Sequence, residues 1–404
     1  MNSSEINPPE TTEMFHRSAL RVLIGGMLGM MVAMGFGRFA FTPILPLMQR
    51  DLGITNSLAG VLASLNYVGY LAGALLCAVC PRILRSKCVN VTALVANIVV
   101  TLLMGLTISS FWWGALRFVA GLSSAVLFVV IAIEVTETLV RSRHTRWSTA
   151  LYGGIGLGIA VSGVAVPLLD RFGDWSTAWL GIGVLSAGVA LTGILVADKR
   201  QVSIPVPDSG AQATGRITGI GRLAIAYFLE GVGYIVTATF LVTMVAHTPG
   251  LADFASWSWV AVGLAAAPST ILWQRLANRT GVRTALTLAY LIQASGILLS
   301  INAANVYLVG LAAVIFGGTF LGIVALAMGE GGRRSGTEGR RVAAILTACF
   351  GAGQVIGPAM AGLLADQQGG FVLPLLFAVL LVAIGGVLVA TDAGFMSGSS
   401  LNKV

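Results

Sequence analysis

Twelve apolar runs, each long enough to cross a bilayer as a helix, leave this chain almost no choice of environment. A spanning helix needs about 20 mostly apolar residues. Such runs occupy 22–48, 58–80, 89–108, 111–139, 149–169 and 176–197, then 222–246, 256–277, 284–303, 306–329, 342–365 and 371–391. Lipid offers no partner to a backbone N–H or C=O, so runs of this kind are read as helices that satisfy their own hydrogen bonds. Between the sixth and seventh lies 198–221, DKRQVSIPVPDSGAQATGRITGIG, polar and rich in Pro and Gly. The composition agrees: 56% of residues are hydrophobic and 10% charged, against about 45–50% and 25% in a soluble domain. With 24 basic and 16 acidic side chains in 404 residues, the chain cannot clothe a globule in charge. A soluble enzyme, a secreted disulfide scaffold and a disordered chain are excluded together.

Orientation follows from Lys and Arg, which accumulate in cytoplasmic loops. If the N-terminus is inside, the inner segments hold Arg17, Arg21, Arg82, Arg85, Lys87, Arg141, Arg143, Arg146, Lys199, Arg200, Arg216, Arg222, Arg275, Arg279, Arg283, Arg333, Arg334, Arg340, Arg341 and Lys403. The outer segments hold only Arg50 and Arg171. A split of 20 to 2 on strict alternation supports the span count and places both termini in the cytoplasm. The expected organisation is an N-terminal tail 1–21, a six-helix bundle 22–197, a cytoplasmic loop 198–221, a second bundle 222–391 and a C-terminal tail 392–404. The net charge of +8 is then positive-inside topology, and no nucleic-acid partner is implied.

Other sequence features carry less. Residues 1–18 are polar, and the apolar run that follows is too long for a signal-peptide h-region of about 7–15 residues, so the first span is expected to stay in the membrane. Cys77 and Cys80 have CxxC spacing, but no second pair follows, and His16, His144 and His247 lie near segment ends. A zinc site needs four ligands, so no metal or cofactor is expected. Gly153-Gly154-Ile155-Gly156-Leu157-Gly158 lacks the Lys-Ser/Thr and the preceding strand of a phosphate loop and reads as close helix packing. An intramembrane enzyme would need a metal cluster or an activated nucleophile with a base; no His or Lys lies mid-span, so the chain reads as a non-enzyme.

The two sets of six repeat at an offset of 196 residues. Gly35-Phe36-Gly37 matches Gly231-Val232-Gly233, Lys87 matches Arg283, Gly121 matches Gly317, Glu134 matches Glu330 and Asp170 matches Asp366. Parallel halves of this kind are related by an axis along the membrane normal. Glu134 and Glu330 are expected to pair with the basic inner loops, and Asp170 and Asp366 to face outer water.

Twelve spans in a 6+6 repeat, with a central loop and internal termini, resemble the major facilitator superfamily over nearly the whole chain. Leu276-Ala277-Asn278-Arg279-Thr280-Gly281-Val282-Arg283 is similar to its loop between the second and third helices of a half, with Asn278 where Asp is usual. Arg117 with Gly121 resembles its fourth-helix motif. Gly353-Gln354-Val355-Ile356-Gly357-Pro358-Ala359-Met360-Ala361-Gly362 resembles its Gly-Pro antiporter motif, standing here in the eleventh span, with a looser copy from Gly153 to Pro167. GFGRFAFTPILPLM (35–48) and ALYGGIGLG (150–158) resemble the YbfB/YjiJ-like branch of bacterial carriers. The resemblance implies an all-α fold of two six-helix bundles, a monomer in the bacterial inner membrane, and a central cavity lined by the first, fourth, seventh and tenth helices. It also assigns a conformational role to Asn278, Arg279, Gly281, Arg283, Gly357 and Pro358.

A charge at the bilayer centre costs about 2.5 kcal/mol or more, and three lie on cavity-lining spans. Arg38 sits past the midpoint of the first, among Gly35, Gly37, Pro43 and Pro46, which suggest a bent or loosened helix able to line a cavity. Its planar fork suits a carboxylate or phosphate; the alternative is a structural Arg paired with Glu230 or with helix carbonyls. Arg117 is read as a coupling or gating residue, or as a structural lock on the fourth helix. Glu230, the only acid deep in an apolar run, is a candidate for loading and releasing a proton; the alternative is a permanent ion pair. Proton and anion would be linked if ionised Glu230 paired with Arg38 in one state and released it in the other. Asn66, Tyr152, Tyr234 (the repeat equivalent of Arg38) and Gln354 are candidate solute contacts. The expected function is a secondary carrier of a small solute, proton-coupled and favouring an organic anion. Proton-antiport export of lipophilic or cationic compounds is the alternative, and a non-transporting receptor of the same fold is a further one. The expected partners are the solute, protons and the lipid bilayer.

Overall fold

The computed structural model describes residues 8–197, 219–301, 305–335 and 338–395. Most of the 198–221 loop and of the 392–404 tail, and residues 1–7 of the N-terminal tail, therefore lie outside the described residues. Among those described, twelve segments are long and apolar enough to span a membrane, and the architecture is entirely helical. The chain is an integral multi-pass membrane protein.

The first span is composite: α1 (Pro8–Met30), a π-helical turn (Met31–Phe36) and α2 (Phe41–Leu52). The rest of the first half is α3 (Asn56–Val79), α4 (Lys87–Met104), α5 (Ser110–Arg141), α6 (Gly153–Asp170, entered through a 3-10 turn Thr145–Tyr152) and α7 (Trp175–Val196). The second half is α8 (Gly221–Ala246), α9 (Ala255–Thr280), α10 (Val282–Ile301), α11 (Val306–Arg334), α12 (Gly339–Gln368) and α13 (Val372–Ala390). Below, the near side is the one holding the start of α1 and the end of α13, and the far side its opposite.

Without a hydrophobic driving force between helices in lipid, close backbone approach decides which helices pair. Within the first half, α3 and α5 meet at Gly121, where an added Cβ would stand 1.9 Å from the Asn66 carbonyl oxygen and 2.8 Å from the Tyr70 nitrogen. Overpacking costs typically ~1–3 kcal/mol, and here main chain meets main chain. Gly121→Ala is therefore expected at the upper end of that range, read as a lower melting temperature in detergent. Gly188→Ala, where a Cβ meets nothing within 4 Å, is the neutral comparison.

The halves meet along two seams. On one, α3 packs on α12: Ser64 donates to the Val355 carbonyl at 2.6 Å and accepts from the Ala359 N–H at 3.2 Å. On the other, α6 packs on α9, with Gly156 and Gly263 against each other's helix backbones and Thr270 donating to the Thr149 carbonyl at 2.9 Å. The far side is closed. There α2 buries Phe41–Leu45 against α8, whose Gly231–Thr243 are all buried, and Thr42 donates to the Ala238 carbonyl at 2.7 Å.

Two aspartates expected to face water have structural partners. Asp170 receives a two-pronged hydrogen bond from Arg50, at 2.8 and 3.0 Å, within the first half. Asp366, on α12, reaches across to the N-terminus of α3, where it accepts from the N–H groups of Asn56 (3.1 Å) and Ser57 (2.8 Å) and from both side chains. A carboxylate at a helix N-terminus satisfies orphan N–H groups and the helix dipole together, so Asp366 ties the halves on the far side.

Glu330 pairs with basic residues as expected, holding Arg333 and Arg334 at 2.6 Å each, and Arg334 extends to Asp392 at 2.7 Å. Glu134 instead lies exposed on α5, in the field of Glu137; the first half has Thr138 where the second has Arg334.

Candidate functional site

Arg38 stands where the first span breaks, and local chemistry explains the break. Pro43 has no N–H. The Thr42 N–H bonds to the Phe39 carbonyl at 3.2 Å, while the N–H groups of Gly37 and Phe39 reach back five residues to Val32 and Met34. This π register leaves the carbonyls of Ala33 and Arg38 without helical donors. Both are taken up by α5: Ser124 Oγ donates to Ala33 at 2.6 Å, and Arg117 Nη2 donates to Arg38 at 3.4 Å. Gly35 allows the broken segment to lie against α6, since a Cβ there would stand 2.5 Å from Gly158 Cα.

The break delivers the Arg38 side chain into the middle of the protein, 3% exposed. Its guanidinium carbon lies 4.5 Å from the Tyr67 ring centroid, 4.4 Å from Tyr70 and 5.3 Å from Phe39. Cation–π attraction of this kind is worth about 2 kcal/mol or more when desolvated, yet it satisfies no N–H. Nε and Nη2 of Arg38 have no hydrogen-bond partner, and no carboxylate pairs with it among the described residues.

Arg117 is differently placed. It is 2% exposed, lies 4.6 Å from the Phe41 ring and spends Nη2 on the Arg38 carbonyl. Its own backbone carbonyl accepts from Asn66 Nδ2 at 2.9 Å. Arg117 and Asn66 therefore brace the break, Asn66 spending Nδ2 on a helix–helix bond while its Oδ1 has no partner.

In the second half, Tyr234 stacks on Phe350 (centroids 5.4 Å apart, planes 6° apart) and Phe320 (5.9 Å, 8°), and its hydroxyl bonds to Gln354 Nε2. Arg38 lies over Phe39, which is 6.4 Å from Phe320, the ring that stacks on Tyr234, so Arg38 and its repeat equivalent Tyr234 lie on the two sides of one aromatic contact between the halves. Tyr152 closes the 3-10 turn leading to α6, half-buried, 5.8 Å from Phe128.

Glu230 is 1% exposed, but the structure does not pair it with Arg38. Its Oε1 accepts from Gln293 Nε2 on α10 at 2.5 Å, and Oε2 has no partner. Tyr290, one turn earlier on α10, donates to the Ala226 carbonyl at 3.1 Å. Sequence reasoning missed Gln293; the available signal was an amide in mid-span. It also missed Tyr70 and Ser124, which stand three residues beyond Tyr67 and Gly121.

The motif residues lie away from this cluster. Gly281 ends α9 at φ +90°, in the region that favours glycine. Asn278 accepts from Gln274 at 3.1 Å, Arg279 lies in the last turn of α9, and Arg283 donates to the Ala390 carbonyl. Gly357 packs α12 on α8 within the second half, where a Cβ would stand 2.6 Å from the Val232 carbonyl oxygen, and the Pro358 carbonyl faces Gly60 on α3 across the seam between the halves.

A family model described as "Uncharacterised MFS-type transporter YbfB" matches residues 30–390. No curated protein matches the chain's sequence. Among solved structures the chain is similar to a single-residue mutant of nucleoside transporter NupG at 14% identity, covering 94% of this chain and 99% of that one with a TM-score of 0.68. It is also similar to a bacterial homologue of the human lysosomal transporter Spinster, in an inward-facing, unoccupied conformation, at 13% identity, covering 94% and 98% with a TM-score of 0.69. At these identities the likeness is one of fold.

Proposed function

The chain belongs to the YbfB-type family of major facilitator transporters, and from that premise we propose that it is a proton-coupled carrier of a small organic anion. The observation that carries this reading is Arg38: a buried cation at a helix break, between the halves, with two N–H-bearing nitrogens unpartnered. A buried polar group left unsatisfied costs ~1–3 kcal/mol, more when charged. A carboxylate would remove that cost by matching the guanidinium fork.

Glu230 is the proposed proton site. An amide can donate to a carboxylate or accept from a carboxylic acid, so Gln293 suits either protonation state. In the alternating-access cycle, the far-side contacts of α2, α3, α8 and α12 open in one state and the near side opens in the other. Ionised Glu230 competes for Arg38 in the state that lacks solute.

The test is anion flux into proteoliposomes under an imposed pH gradient. Glu230→Gln is expected to keep solute exchange at equal pH within about threefold while losing most of the acceleration by the gradient, roughly tenfold or more. An unchanged response to the gradient would remove Glu230 from the coupling. The alternative, a proton-antiport exporter of lipophilic cations, draws on Glu230 Oε2, a buried acceptor without a partner, and predicts flux of cations that depends on Glu230 and not on Arg38.

A further inference from the structure

The rings around Arg38 say more about the solute than its charge. Aromatic residues make up 8% of the chain, yet they gather here from both halves. From the first come Tyr67, Tyr70, Phe128 and Tyr152, with Phe128 lying 6.4 Å from Tyr70 and 5.8 Å from Tyr152. From the second comes a set of near-parallel planes: Tyr227 on Phe350 (4.3 Å, 13°), Phe350 on Tyr234 (5.4 Å, 6°) and Tyr234 on Phe320 (5.9 Å, 8°). Phe39, beside Arg38 on the first span, lies 6.4 Å from Phe320 of the second-half set, so the rings of the two halves adjoin across the interface. Tyr70, Phe128, Tyr152 and Phe350 are half-buried, whereas Tyr67, Tyr227 and Tyr234 beneath them are buried.

We infer that the solute is a planar aromatic monocarboxylate, its carboxylate on the unpartnered edge of Arg38 and its ring against the half-buried aromatic wall. This rests on the anion-carrier reading and narrows it. One carboxylate is specified because Arg38 offers two unpartnered nitrogens, Nε and Nη2, whereas Arg117 keeps only Nε unpartnered and spends Nη2 on the Arg38 carbonyl. A flat ring is specified because the second-half planes lie within 6–13° of each neighbour, so a guest parallel to one is nearly parallel to all. Offset-stacked and edge-to-face ring contacts stabilise beyond the area they bury, and a puckered saturated ring cannot make the stacked ones.

The test is equilibrium binding to the detergent-purified protein, with benzoate, cyclohexanecarboxylate, acetate and benzamide as probes. Cyclohexanecarboxylate keeps the charge and bulk of benzoate without its plane, and benzamide keeps the plane without the charge. Benzoate is expected to bind roughly five- to tenfold tighter than cyclohexanecarboxylate, the worth of one or two ring contacts, and benzamide and acetate weakly. Phe350→Leu is expected to bring the benzoate preference close to one while carboxylate binding persists, and Phe128→Leu serves as a second variant if the first melts early. Equal affinity for benzoate and cyclohexanecarboxylate, both lost in Arg38→Gln, would overturn the aromatic assignment and leave the anion carrier standing. No saturable binding of any carboxylate would overturn both.

Discussion

Gly60→Leu is expected to cut solute flux at least about tenfold while leaving a folded protein. Gly60 lies on α3 where that helix crosses α12, and a Cβ there would stand 2.2 Å from the Pro358 carbonyl oxygen and 3.2 Å from Ala359 Cα. Neither atom can rotate away, because both belong to the backbone of a proline-containing helix. The collision is between the two halves rather than within one, so each bundle keeps its own packing. Only the far-side-closed arrangement is penalised. Overpacking of ~1–3 kcal/mol changes an equilibrium between two states by roughly five- to 150-fold, and a cycle that cannot close its far side cannot turn over. Two measurements check this. Exchange flux in proteoliposomes should fall, and Gln49→Cys, in the 470 Å³ far-side cavity lined also by Asn56, His247 and Asp366, should label faster with an impermeant maleimide. Flux within about twofold of the parent would show that the α3–α12 seam does not part during transport.

The spans could be read from sequence because a helix in lipid satisfies its hydrogen bonds alone and needs only length and apolarity. The loosened first span was legible as well: Gly35 and Gly37 weaken a helix and Pro43 lacks an N–H whatever the tertiary setting, although Pro46 is accommodated inside α2. The partners of the buried groups were not. Glu230 and Tyr234 are one turn apart on α8, yet Glu230 turns to Gln293 on α10 and Tyr234 to Gln354 on α12. No offset within α8 distinguishes those faces, because the whole helix from Gly231 to Thr243 is buried and its polarity pattern carries no inside-outside signal. Asp366 escaped for a similar reason. At the end of an apolar run Asp366 reads as solvent-facing, and it is exposed, but its further role as a cap on α3 depends on a helix some 310 residues away.

Arg38→Gln is expected to lower anion affinity at least about 100-fold, with Arg38→Lys recovering only part of it. Glutamine keeps hydrogen-bonding capacity and most of the length but removes the charge. Lysine restores the charge without the planar fork that engages both carboxylate oxygens. Removing one partner of a buried, hydrogen-bonded charge pair costs ~2–5 kcal/mol or more, which is about 30- to several thousand-fold in affinity. The fold should survive both changes, since the break in the first span is held by the Arg38 backbone carbonyl and by Ser124, not by the Arg38 guanidinium. Saturation binding, read beside the melting temperature of each variant, separates loss of the site from loss of the fold. A lysine variant equal to wild type would mean that the fork geometry is not used.

The most direct measurement is a thermal-shift comparison of small organic carboxylates with lipophilic cations on the detergent-purified protein at two pH values. An anion carrier built on Arg38 predicts that carboxylates raise the melting temperature, that the rise depends on pH, and that Arg38→Gln removes it. Stabilisation by lipophilic cations alone, abolished in Glu230→Gln and retained in Arg38→Gln, would contradict it.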